Sequence, residues 1–574
     1  MKNSLNYPIF KQRKNMGGSI MNWKKWSLLL ALVFAMGMFL AACGGNDSAD
    51  DKDTSDSGDN SDGGEGALAD EQEFSMNIKT EPPSLHPGKA TDTTSGAVLH
   101  QVFEGLTRIN PEGEPEEAMA EEIDISDDEL TYTFTIRDDA TWSNGDPVTA
   151  EDFEFAWKWV LDPESPDTDY AYQLYPIKGA EEAKEDDGSM DDVGITAEDD
   201  KTLVVELDQP TEYFLDLTAF YTYFPVNKNV AEENDDWAQE AGENYVTNGP
   251  FLLDTWQHKN NIVLQKNTEY WDADTVNLET INMEMVDDES TELSMYESGE
   301  LDWAGDPTGA IPLAAIPTLK DSGELNIENK TGVYYYSFNT EEEPFDNENI
   351  RKAFALSLNR AGIVENITKG EQQPAMALVP PSIYEENEEG YFEDNDVEKA
   401  KEHLEKGLDE LGLDKLPTIK LSYNTDEGHE SIAQAAQDIW REELDVKVEL
   451  NNEEWNVFLD SLSEGNYQMG RMGWIADFND AINFLEIFET VGGNNYTNWE
   501  DEDFANLLKE SRTETDVDAR RDLLREAEEM FMDAMPIAPV YFYTNVWTNQ
   551  DYVQDVDVSS LGVIQLKWAY IAEH

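Results

Sequence analysis

The chain has 574 residues and a formal net charge of −86, with 124 acidic against 38 basic side chains. Its length exceeds one ordinary domain, its 39% hydrophobic content can build cores, and its negative charge argues against nucleic acid as a partner. One cysteine leaves no disulfide framework and no cysteine-based zinc site.

The chain begins with leader chemistry. Met21–Trp26 is a short basic segment, and "SLLLALVFAMGMFL", residues 27–40, is an apolar run too short to favour a stable membrane span. Small residues then lead to Cys43. Residues 1–42 are therefore read as a secretory signal peptide, with the true start at Met21 because Met1–Ile20 lacks leader character. Leu40-Ala41-Ala42-Cys43 resembles a bacterial lipobox, which implies cleavage before Cys43 and a diacylglyceryl group on its sulfur; the alternative is a free structural thiol. Residues 43–73 are dominated by Asp, Ser and Gly, and are expected to form an acidic disordered tether. Their Asp spacing does not match a calcium loop, since the required Gly and final Glu fall out of register. Acid spread along the rest of the chain reads as a solvated surface suited to salty or alkaline surroundings.

Ordered structure is predicted from Phe74. "FSMNIKT" alternates as a strand, as does "TYTFTIRDDATW". "TAEDFEFAWKWVLDP" predicts a helix with Thr149 as N-cap, acids in its first turn and a stop at Pro163. "KTLVVELDQ" and "NIVLQKN" are further strands. "DNENIRKAFALSLNRAGIVENI" predicts one helix with Ile350, Phe354, Leu358 and Ile363 near one face, and "DNDVEKAKEHLEKGLDELGL" another. "TIKLSYNT", "HESIAQAAQDIWREEL" and "DVKVELNNEEW" follow as strand, helix and strand, the order of a parallel βαβ unit. Strands and helices alternate without a solenoid repeat, so the fold class is α/β.

Catalytic motifs are absent: no G-x-S-x-G elbow, no H-E-x-x-H, no phosphate loop. The six histidines (86, 100, 258, 403, 429 and 574) are scattered without metal-ligand spacing, which predicts surface or core roles, no metal and no cofactor. A glycosidase-like carboxylate pair flagged by no motif is the remaining route to an enzyme. "GRMGWIADFNDAINFL" places Asp477 in an otherwise apolar run. Either it caps or turns the chain, a duty for which Asn479 and Asp480 stand nearer the following helix, or it awaits a cation.

"LTYTFTIRDDATWSNGDPVTAEDFEFAWKWVLDP" resembles the signature of the peptide/nickel-type solute-binding proteins that serve ABC importers. "TEPPSLHPGKATDTTSGAVLHQVFEGLTRI", "VTNGPFLLDTWQHKNNIVLQKNTEYWD", "SGELDWAG", "YYYSFNTEEEPFDNENIRKAFALSLNR", "PAMALVPPS" and the Asp477 segment match in the same order, from Phe74 to the end. The resemblance implies a periplasmic-binding-protein-like fold of two hinged α/β lobes with an extra subdomain inserted in lobe one. Lobe one is then 74–103, 229–332 and 543–574, the inserted subdomain 104–228, and lobe two 333–542, with crossings near Gly332 and Tyr543. It also implies a non-enzymatic, lipid-anchored receptor on the outer face of the cytoplasmic membrane. The receptor acts as a monomer, capturing oligopeptides for the permeases and ATPases of an importer. The alternatives are a signalling peptide, a disaccharide or a metal chelate on the same fold; an extracellular hydrolase is the rival of another class.

The resemblance assigns the site residue by residue. Asp477 pairs with the ligand's α-ammonium. Backbone groups of Gly473 and Ile475 pair with an extended peptide, which permits broad specificity. Trp474 and Trp455 wall the pocket, although on pattern alone both would be core residues. Arg471 meets the peptide carboxylate, against the plain reading of a surface or structural salt bridge. Tyr170 and Tyr172 line the site from the inserted subdomain. Strand alternation puts Arg471, Gly473, Ile475 and Asp477 on one face and Trp474 on the other, so the strand is expected to bend or end near Gly473. Leu462 and Thr91 stand where some relatives carry a basic residue and a glutamate, which bears on the carboxylate end of the site.

Overall fold

The computed structural model describes residues 67–574 apart from 112, 186 and 187; the leader, Cys43 and most of the expected tether lie outside the described residues. The last part of that tether departs from expectation. Leu68 bridges Ala572, the Ala69 N–H donates to the Ile571 carbonyl, and the Gln72 amide bonds both backbone groups of Ile571. Pairing with the C-terminal segment therefore orders the chain before Phe74.

In chain order, β1 (Glu73–Asn77) and α1 (Thr93–Val102) are followed by β2 (Ala120–Ile125), β3 (Thr131–Ile136) and α2 (Ala150–Leu161). Then come β4 (Ile195–Asp199), β5 (Thr202–Glu206), β6 (Phe251–Gln257), β7 (Asn261–Lys266), β8 (Thr280–Glu284) and β9 (Trp303–Gly305). The rest comprises β10 (Asn326–Phe338), α3 (Glu348–Leu356), α4 (Arg360–Ile363), α5 (Val397–Leu411), β11 (Ile419–Asn424), α6 (Glu427–Leu444), β12 (Val448–Glu453), α7 (Trp455–Ser463), β13 (Met469–Ile475) and β14 (Ile537–Asn549).

Three sheets organise these elements. The first has the order β1-β8-β7-β6, with β1 parallel to β8. The second, β2-β3-β5-β4, is antiparallel throughout. The largest has the order β9-β14-β10-β13-β11-β12. Its β11, α6 and β12 form the parallel βαβ unit that the sequence predicts. In β3 the apolar Tyr132, Phe134 and Ile136 point into the core while the threonines alternate outward. α2 starts as its sequence requires: Asp152 accepts from the Thr149 N–H at 2.9 Å, closing a capping box.

The long helix expected over residues 346–367 is broken. α3 ends at Leu356, α4 restarts at Arg360, and a wide turn of π type runs from Val364 to Thr368. The carbonyls of Phe354 and Ala355, which a continuing helix would use, are taken elsewhere. Trp440 Nε1 and Ser357 Oγ donate to Phe354, and the Arg360 guanidinium donates to Ala355. Asn359 then caps the restart by accepting from the Gly362 N–H.

Strands β10 and β14 run side by side, and their pairing is interrupted between Asn329↔Thr544 and Val333↔Phe542. Residues 330–332 and Tyr543 thus sit together at one irregularity, and the candidate site lies beside it.

Candidate functional site

β13 is the backbone of the site. It pairs with β10 along its whole length, from Met469↔Phe338 to Ile475↔Gly332. On its other side β11 reaches only Met469 and Gly470. Backbone direction follows from two bonds: Asn339 N–H donates to Gln468 O, and Ala476 N–H donates to Thr331 O. In an antiparallel pair successive residues alternate their backbone groups between the two sides. Even-numbered residues of β13 therefore address β10; the Arg471 N–H is taken by the pairing with β11 at Ser422↔Gly470, and the Arg471 C=O with both backbone groups of Gly473 and Ile475 points to the open edge.

Two adjoining cavities, of about 170 and 290 Å³, lie along that edge and share Thr93, Trp455, Arg471, Ile475 and Tyr543 in their walls. The smaller is lined by the consecutive residues from Arg471 in β13 to Asp477, two residues past its end. This corrects the expected bend: the strand stays in register with β10 through Gly473 to Ile475. Trp474 still reaches the cavity because the cavity runs along the strand's edge, where side chains of both faces border it. Its Nε1 donates to Asn483 Oδ1 at 3.0 Å, and its ring centroid lies 6.3 Å from that of Tyr170.

Asp477 follows β13 directly. Its carboxylate receives Gln173 Nε2 at 2.7 Å, Tyr170 OH at 3.3 Å and Asn483 Nδ2 at 3.4 Å, while its own N–H donates to Asn483 Oδ1. Among the described residues no Lys, Arg or His lies within salt-bridge distance of it. Burial pushes its pKa up to about 7, and the bonds from Asn483, Tyr170 and Gln173 only partly offset that. Capping is not its task. Asp480 accepts the Ile482 N–H at 2.9 Å at the start of the next short helix, and also binds Arg520.

Arg471 is half-buried and is neither a surface charge nor a salt-bridge partner among the described residues. Its Nη2 donates to Tyr543 OH at 2.8 Å, and its guanidinium lies 4.8 Å from the Tyr334 ring centroid. Burial opposes its charge, but the phenols of Tyr543, Tyr334 and Tyr541 and the carboxylate of Asp426 keep it charged. Gly473 permits this arrangement, since a Cβ there would stand 2.3 Å from the Tyr543 hydroxyl.

Trp455 opens α7, is half-buried and borders both cavities. Tyr170 is buried and lines the smaller one. Tyr172 stands one layer back: its hydroxyl accepts from Asn494, which itself lines the cavity. Thr91 is in the wall, whereas Leu462 packs with Phe458 and Tyr467 in a small core cluster away from it. Sequence reasoning did not reach Gln173, Asn483, Tyr334 or Tyr543. Asn483 and Tyr334 lie inside matched segments and Tyr543 at an expected lobe crossing, none of them flagged for the site, whereas Gln173 meets Asp477 from 304 residues away in sequence. His86, His100 and His429 are buried, and burial pushes each down to about 3, so they are neutral. Among the described residues no group of His, Cys, Asp and Glu could hold a metal ion.

Comparison with known proteins places this geometry. Residues 114–496 match the model of the bacterial extracellular solute-binding proteins, family 5. The chain is 53% identical over 561 residues to the oligopeptide-binding protein OppA of Bacillus subtilis, covering 95% of this chain and 99% of that protein. It is 39% identical to the dipeptide-binding protein DppE of the same organism, covering 95% and 98%. Among solved structures, Haemophilus influenzae OppA in complex with the peptide RPPGFSPFR superposes with a TM-score of 0.83 at 30% identity, covering 88% of this chain and all of that one.

Proposed function

The chain belongs to the family 5 bacterial extracellular solute-binding proteins and has their two-lobed fold, and from that membership we propose that it captures oligopeptides and delivers them to an ABC importer. Its relatives are solute-binding proteins rather than enzymes. The reading includes a lipid anchor on Cys43 after removal of the leader, a place outside the cytoplasmic membrane, and a monomeric receptor. Among the described residues no helix is long and apolar enough to cross a membrane, so an anchor would lie ahead of them. The lobes would be residues 74–103, 229–332 and 543–574 on one side and 333–542 on the other, with 104–228 inserted. The broken pairing at residues 330–332 and Tyr543 is where such lobes would turn about one another.

One observation carries the ligand class: a buried carboxylate facing a cavity, with no cation beside it among the described residues. A desolvated carboxylate is costly until an ammonium joins it, and a charge-assisted hydrogen bond repays both ions only together. A peptide N-terminus is such an ammonium. Beyond it, the backbone groups of Ile475 and Gly473 and the carbonyl of Arg471 offer a strand edge to an extended chain, and edge pairing does not read side chains. The guanidinium of Arg471, with no carboxylate in salt-bridge distance among the described residues, suits a ligand carboxylate. Trp455, Trp474 and Tyr170 supply the aromatic walls.

The test is a tryptophan-fluorescence titration of the chain with a mixed peptide series, free and N-acetylated, repeated with Asp477→Asn. Free peptides binding far more tightly than acetylated ones supports ammonium capture. Equal affinities would overturn the role of Asp477, and binding of neither would overturn the peptide assignment.

A further inference from the structure

The peptide reading leaves unexplained how Asp477 is presented to its ligand, and the role assigned to Gln173 rests on that reading. The turn Ala171–Leu174 brings Gln173 against Asp477 from 304 residues away in sequence. Gln173 is 2% exposed. Its backbone carbonyl accepts from Tyr223 OH at 2.7 Å, which pins the turn. The two halves of its amide differ: Nε2 donates to Asp477 Oδ2 at 2.7 Å, while Oε1 is buried without a hydrogen-bond partner. Leaving a buried acceptor unmade is costly, so this orientation is held by what the NH₂ group does. The two oxygens of Asp477 differ in the same way. Oδ2 holds Gln173 and, more loosely, Asn483, whereas Oδ1 has the 3.3 Å contact from Tyr170.

We propose that Gln173 is a positioning residue for ammonium recognition: its amide clasps Oδ2 of Asp477, keeps the carboxylate ionised and turned, and leaves Oδ1 for the ligand. The same bond ties the 104–228 segment to the strand end that bears the ligand site, so ammonium capture and docking of that segment share one carboxylate. Other polar groups around Asp477 are poorer clasps. Tyr170, Tyr172 and Tyr221 are phenols kept protonated by burial and by the Asp477 charge itself. Glu486 is a buried acid pushed up to about 8 by burial, with Arg512 3.5 Å away. His100 borders the smaller cavity as a neutral imidazole.

The test compares the full chain with Gln173→Met, which nearly preserves volume, and Gln173→Leu. The readouts are peptide affinity between pH 5.5 and 8.5 and a fluorescence pH titration of the unliganded chain, with Asp477→Asn as blank. Trp474 is the reporter, since it reaches Asp477 through Asn483. The expected result is a tenfold or greater loss of affinity for free peptides in both variants. Acetylated peptides should be unaffected, and the pH midpoint of the unliganded titration should move upward. A Met variant that weakens free and acetylated peptides alike, or leaves the midpoint in place, would overturn the proposal. The unliganded titration judges Gln173 even if wild-type chain binds no peptide, so the two readings fail separately.

Discussion

Asp477 and Asp426 are carboxylates on the walls of adjoining cavities, but their surroundings differ. Asp426 caps α6 by accepting the His429 N–H at 2.8 Å, and it contacts Lys79, which follows β1. Against burial, the Lys79 ammonium and the His429 backbone N–H hold Asp426 below the usual carboxylate range. Burial opposes the charge of Lys79 too, yet Asp426 and Glu289, the latter at 3.5 Å, hold it above its ordinary value. At that end of the cleft Asp426 has its counter-charge within the fold, in the Lys79 ammonium that it shares with Glu289. Asp477 has amides and a phenol but no cation among the described residues, and its pKa goes the opposite way. The contrast separates charge used by the fold from charge kept for a ligand: a closed pair has little left to offer, an unpaired buried carboxylate does.

Four measurements put that contrast at risk. The largest effect belongs to Asp477→Asn. Losing one partner of a buried pair costs about 3–5 kcal/mol, on the order of a hundredfold to several thousandfold in affinity. Calorimetric titration should show this for free peptides and not for N-acetylated ones. Lys79→Met should instead register in stability, by about 2–3 kcal/mol because both partners keep some solvent contact. It should lower the urea midpoint and leave the preference for free over acetylated peptides intact. Arg471→Met removes charged hydrogen bonds worth roughly 1.5–3 kcal/mol each. It should weaken peptides with a free carboxylate more than their C-terminal amides, and equal loss for both would detach Arg471 from the ligand.

The most graded effect is on pH. The raised carboxylate pKa of Asp477 favours the form that buries it at low pH. That stability fades as pH rises from the ordinary Asp value of about 3.9 through about 7. Ammonium binding to this form runs the other way, since it must expel the proton. Affinity should fall about tenfold per unit below pH 7 and level off above it, until the ligand amine, with an ordinary pKa of about 8, loses its own proton. Titrations at intervals from pH 5 to 9 would show this, and Asp477→Asn should flatten the acid limb.

Much of the fold is legible in the chain because its cause is local. The β3 alternation, the Thr149–Asp152 capping box and the 419–453 strand–helix–strand unit each follow from spacing along the chain. The broken helix is not, since the pattern Ile350, Phe354, Leu358, Ile363 is smoothly amphipathic. What ends α3 is competition for its last carbonyls by Trp440, from α6, and by Arg360. Leu462 is likewise no site position, since it fills a cluster with Phe458 and Tyr467.

Most element types and family membership were readable from the order of residues alone, because periodicity, capping and a long ordered motif are one-dimensional signals. Three further facts needed the folded molecule: β13 keeps an open edge beyond Gly470, Gly473 yields its space to Tyr543, and Gln173 holds Asp477. They depend on which distant segments meet. A hydrogen bond between residues 304 positions apart leaves no spacing in the chain from which to read it.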